Sequence, residues 1–145
     1  MGLFDAIDIA ASGLTAQRLR MDVTAENLAN AQTTRSPEGG PYRRKNVVLQ
    51  EVGGGFAGQL AAFGGSANPP AGVEAAAIVP DTTPLRRVYD PGHPDADADG
   101  YVTMPNVNPV TEMVDLIDAS RAYEANVTAL QTTKSAFAKT IELLR

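Results

Sequence analysis

Proline is confined to the middle of this chain: all ten prolines lie between Pro37 and Pro109. Eleven of the 13 glycines fall in the same interval. A turn-rich centre is therefore flanked by two segments that proline never interrupts, and both flanks are predicted to be helical. From Leu3 to Ala31 a heptad reading places Ile7, Leu14, Met21 and Leu28 at one position and Leu3, Ala10, Gln17, Thr24 and Ala31 at the other. The stripe is partly polar, and Gly13 inside it marks a bend or a point of close approach. The C-terminal stripe is stronger. It runs Met113, Leu116, Ser120, Tyr123, Val127, Leu130, Lys134, Phe137, Ile141, Leu144, with spacings alternating between three and four. Such a period needs a partner helix along a narrow seam.

Between the helices, residues 42–52, 72–79, 85–89 and 101–104 read as short strands, separated by turns such as Asp90-Pro91-Gly92 and Asp99-Gly100. The stretch from Gly53 to Gly72, with seven glycines and almost no charge, reads as a mobile loop. The fold class is α+β: long terminal helices paired in a coiled-coil-like axial domain (1–34 plus 108–145), with a β-rich module (35–107) inserted between them.

Of 63 apolar residues 23 are alanine, so 40 larger side chains must build any core, enough for one small domain. Flank positions Phe4, Leu19, Val23, Val114 and Ile117 would still need cover once the helices pair. Long helices with unpaired seams should order fully only on assembly. A formal charge of −5 offers no footprint for a polyanion, which speaks against nucleic acid as a partner. No run of 18 apolar residues exists to span a bilayer, and Asp5 and Asp8 interrupt the stretch a cleavable leader would need.

Catalytic machinery is not visible. Cysteine is absent and His93 is the single histidine, so neither a thiolate nucleophile nor a histidine-based metal cluster can be assembled, and no cofactor motif is present. Asp95, Asp97, Asp99 and Gly100 spell the opening of a calcium loop, but its twelfth position is Asn106, and Pro91 and Pro94 exclude an entering helix. A solvated acidic turn is the simpler reading. His93-Pro94-Asp95 repeats the tripeptide of J-domain co-chaperones, here between strands instead of helices. Glu112, Asp115, Asp118, Glu124 and Glu142 read as the solvated or partner-facing side of a helix, and Arg43-Arg44-Lys45 as a strand-edge charge device. Asn27 and Asn30 either end the first helix or fix its register through side-chain hydrogen bonds; spacing does not choose. A calcium-dependent module and a closed coiled-coil adaptor are the competing classes.

Asn27-Leu28-Ala29-Asn30 after an amphipathic N-terminal helix resembles the signature of bacterial flagellar rod and hook proteins. The resemblance extends through Tyr42-Arg43-Arg44-Lys45, through residues 88–97 with Tyr89, Asp90, Pro91, His93, Pro94 and Asp95, and through residues 100–108 with Pro105 and Asn106. It continues over Glu112-Met113-Val114-Asp115 and over residues 119–126 with Arg121 and Tyr123. The family implies a non-enzymatic building block of the proximal rod, the hollow axial shaft that crosses the periplasm, transmits torque and surrounds the export channel. It also implies delivery by the flagellar type III export apparatus without a cleaved leader. Implied partners are further copies of the chain, the homologous rod subunits FlgB, FlgF and FlgG, and FliE. The seam residues Leu3, Ile7, Leu14, Met21, Leu28, Met113, Leu116, Tyr123, Val127, Leu130, Phe137, Ile141 and Leu144 would carry assembly.

Overall fold

A computed structural model describes residues 3–37, 39–52 and 72–143, apart from the side chains of Leu3 and Phe4. Its elements are α1 (Leu3–Ala29), β1 (Lys45–Val52), β2 (Gly72–Pro80), β3 (Arg86–Tyr89), β4 (Tyr101–Met104) and α2 (Pro109–Leu143). This is the α+β class with long terminal helices. The expected loop from Gly53 to Gly72 falls on residues 53–71, outside the described residues, except at its last position: Gly72 is buried and opens β2.

Helix boundaries follow from capping chemistry. At the start of α2 the Asn108 side chain accepts from Val110 N at 3.1 Å, and Pro109 occupies the first helical position, where no backbone donor is missed. At the end of α1, Asn30 donates both its backbone N (3.0 Å) and its Nδ2 (2.9 Å) to the carbonyl of Glu26. Asp5 in the first turn of α1 and Glu112 in that of α2 complement the helix dipoles.

The chain divides into two compact units. The first comprises Met1–Leu19, Val48–Ala77 and Ala119–Arg145. Its most buried side chains are Ala16 and Ala119, and small residues set its helix contact. A β-carbon on Gly13 would lie 2.9 Å from Asn126 Nδ2, so the missing side chain is what admits Asn126 of α2. Ser12 Oγ donates to the carbonyl of Ile9 and accepts from Val73 N at 3.1 Å, tying α1 to the start of β2.

The second unit comprises Arg20–Val47 and Ile78–Asp118. Here β3 and β4 pair antiparallel, with Val88 opposite Val102 and Tyr89 opposite Tyr101. Alternation puts Val102 into the core and leaves Tyr89 and Tyr101 outside, their rings in edge contact at 5.3 Å. Val23, Tyr42 and Val107 complete a small apolar core. β1 and β2 form a separate two-stranded sheet, most of whose residues, 48–52 and 72–77, belong to the first unit.

A buried polar hub as the candidate functional site

In the second unit two of the three largest fully buried side chains are polar, Glu112 and Asn27, each 1% exposed. Burying an amide and a carboxylate is costly unless every hydrogen-bonding position is filled. For Asn27 all four are. Its Nδ2 donates to the Lys45 carbonyl (2.9 Å) and to Glu112 Oε2 (3.0 Å); its Oδ1 accepts from Lys45 N and from the Tyr42 hydroxyl, both at 2.9 Å. The paired bonds to N and O of Lys45 imitate a neighbouring strand, so one carboxamide from α1 closes the end of β1 as a strand would.

Glu112 accepts at its other oxygen from Arg44 Nε at 2.5 Å. The same guanidinium reaches Asp115 Oδ2 (3.0 Å) and Asn46 Oδ1 (2.6 Å). The Arg44 backbone is also held: its N donates to Asn106 Oδ1 at 2.8 Å and its carbonyl accepts from Asp81 N at 2.7 Å. Asn106 Nδ2 in turn donates to Thr83 Oγ1 at 2.8 Å. α1, the entry to β1, the turn after β2 and the first turns of α2 thus converge on one connected network whose ring of direct partners spans 85 residues of sequence.

Burial pushes the Tyr42 phenol up to about 12, with the charges of Glu26 and Glu112 adding to the effect. The fold therefore favours the neutral phenol. Its stabilisation is fully present below about pH 10, the unfolded value, and is lost as pH rises through 12. In urea titrations the advantage of the wild type over Tyr42→Phe, present at pH 8, should shrink by about 2 kcal/mol by pH 12. An advantage that does not change with pH would contradict a buried hydroxyl.

Two sequence expectations are corrected here. Glu112 is not on a solvated face, because Asn27 and Arg44 supply the donors that make its burial affordable. Arg44 is not an edge device: its guanidinium is 23% exposed and chelates Glu112 and Asp115, whereas Arg43 is exposed and Lys45 pairs with Glu26 at 2.6 Å. Of the two roles left open, Asn27 takes the register-fixing one and Asn30 the helix-ending one, bridging also to Thr33 at 3.1 Å.

The acidic turn has its own account. Asp97 Oδ1 accepts from the backbone N of Tyr101 (2.8 Å) and of Asp99 (3.2 Å), while Oδ2 takes Arg87. The Tyr101 bond, aided by Arg87, holds this carboxyl below the usual range. Gly100 turns the chain with φ +78°. Asp95 is taken up by Thr34 (2.8 Å) and Arg35 (2.7 Å), and its backbone N donates to His93 Nδ1 at 3.1 Å. Among the described residues no three metal-ligating side chains converge.

The remaining motif residues frame these networks: Pro105 is buried, His93 and Tyr123 are half-buried, and Tyr89, Asp90, Pro91, Pro94 and Arg121 are exposed. Among the seam residues Ile7, Leu14, Met21, Leu28, Leu116, Tyr123, Val127 and Leu130 are half-buried, and Met113, Phe137 and Ile141 are exposed. The Leu3 side chain and Leu144 lie outside the described residues. No described helix is long and apolar enough to cross a membrane.

Comparison with known proteins places these residues in context. Residues 7–35 match the family model for flagella basal body rod proteins, and residues 98–143 match that for the C-terminal part of flagellar basal body rod FlgEFG proteins. The chain is 48% identical over 148 residues to the flagellar basal-body rod protein FlgC of Bacillus subtilis (strain 168), covering 99% of each. It is 46% identical to that of Borreliella burgdorferi, covering all of this chain and 99% of the relative, and 46% identical to that of Salmonella typhimurium, covering 99% and 98%. Asn27 lies within the first matched segment, Glu112 and Asp115 within the second.

Proposed function

The chain belongs to the FlgC family of flagellar basal-body rod proteins, and from that premise we propose how it builds a rod. It is a structural subunit of the flagellar basal body, not an enzyme, and assembles with other rod proteins. In our reading its place is the proximal rod in the periplasm. The axial helices, 1–34 plus 108–145, form a layer around the export channel, and the β-rich module, 35–107, braces adjacent subunits so that torque is transmitted. Neighbours are further copies and the subunits FlgB, FlgF, FlgG and FliE, and each copy arrives through the flagellar type III export apparatus. The seam residues named above contribute the contacts.

One observation carries this reading. The α2 helix keeps bulky apolar side chains in solvent, among them Met113 and Ile141 at about half exposure, although the chain has few such residues to spare for a core. A helix that leaves them out has somewhere else to bury them. The test is imaging of basal bodies purified from cells lacking this gene. We expect the membrane ring to be retained without a rod; a complete rod would overturn the assignment.

A further inference from the structure

In its first turns α2 sends Glu112 inward and leaves Val110, Met113, Val114 and Ile117 at 70%, 52%, 53% and 52% exposure. Their spacing of three and four puts them on one face. Together they expose on the order of 300–400 Å² of apolar surface, a patch of the size that marks contact sites but under half of the ~800 Å² per partner that holds a free-standing complex. Such a face is covered where other contacts act with it, inside an assembly. Its two ends carry opposite charge. Arg86 shares a groove of about 320 Å³ with Asn108 and Pro109 at the start of α2, and Asp118 follows Ile117; neither has an ion-pair partner among the described residues.

A matching face exists on α1. Asp8, Ala11, Thr15 and Arg18 are all exposed and spaced three, four, three, so acid, two small side chains and base follow one another along one side. Asp8 to Arg18 spans roughly 15 Å and Val110 to Asp118 roughly 12 Å. Resting on the rod reading above, we infer that the Asp8–Arg18 face of one copy seats on the Val110–Asp118 face of a second copy, helices parallel. The aliphatic side chains then press onto Ala11 and Thr15, Asp8 meets Arg86, and Arg18 meets Asp118. Two α2 faces laid antiparallel would also match their charges, but they would oppose bulky side chains to each other, leave the α1 face bare and close as a pair. The α1-on-α2 contact joins different surfaces and continues from copy to copy, as an axial structure requires.

The chain has no cysteine, so single thiols report cleanly. In basal bodies from cells making the Thr15→Cys/Val114→Cys variant, a short bismaleimide should give a ladder of covalent multimers of this chain. Either single variant alone should give none, and the two singles mixed should stop at dimers. Dimers from Val114→Cys alone, or no ladder from a double variant recovered in rods, would overturn the contact. As an independent readout, Arg18→Asp and Asp118→Arg should each lower recovery of the chain in basal bodies by about tenfold, and their combination should restore it. Failure of the combination to restore recovery would overturn the pairing. Absence of the wild-type chain from basal bodies would instead remove the rod reading on which the contact rests.

Discussion

Replacing Glu112 with alanine should lower the stability of the second unit by about 3–5 kcal/mol, enough to unfold much of a marginally stable domain. The mutation removes a carboxylate that is 1% exposed and accepts from two donors, Asn27 Nδ2 and Arg44 Nε. Arg44 keeps Asp115 and Asn46 but loses its shortest bond, and its charge stays mostly out of water. Alanine is the better helix former, which returns at most about 0.7 kcal/mol, too little to compensate. Glu112→Gln should cost less, because an amide retains one acceptor and the shape of the site, while the charge opposite Arg44 is lost. Urea unfolding followed by near-ultraviolet circular dichroism reads this directly, since Tyr42, Tyr89 and Tyr101 lie in the second unit. Equal midpoints for Glu112→Ala and the wild type would show that the hub contributes nothing to the fold.

This residue also shows where reading the sequence stops. The terminal helices were legible because proline is excluded from both ends, and a period of three and four identified their apolar positions. The four strands were legible from β-branched and aromatic runs bounded by Gly, Pro and Asp, and the structure places all four within a few residues of the expected limits. Periodicity, however, assigns a polar residue to solvent by default. It reads Glu112 as solvated or partner-facing, whereas the structure turns it inward at 1% exposure. The reason is non-local. A buried carboxylate is tolerable only if donors await it, and these come from Asn27 and Arg44, 85 and 68 positions earlier in the chain. No window along the helix contains them. The signal that could have found them is the family resemblance, which ran through Asn27, Arg44, Asn106 and Glu112 without giving the physical reason for their association.

A second large effect is expected from Asn27→Asp, which keeps the shape of the side chain and changes only what its atoms can donate. Asn27 Nδ2 gives one hydrogen bond to the Lys45 carbonyl and one to Glu112 Oε2. An ionised aspartate can give neither. It would set one carboxylate oxygen, in place of Nδ2, about 3 Å from both Glu112 Oε2 and the Lys45 carbonyl, in a site from which water is excluded. We expect a loss of more than about 3 kcal/mol at pH 7, exceeding that of Asn27→Ala, which leaves partners unsatisfied but adds no charge. The two substitutions separate by pH. Burial and the neighbouring carboxylate must raise the folded-state value of the introduced acid, so the folded variant binds a proton that the unfolded chain releases. Stability of Asn27→Asp, relative to wild type, should therefore recover as pH falls from 7 towards 5, when one proton shared between the two carboxyls restores a donor. Asn27→Ala has no such proton to bind and its deficit should stay level over the same range. If both deficits followed the same pH course, the amide of Asn27 would not be the donor that carries Glu112 into the interior.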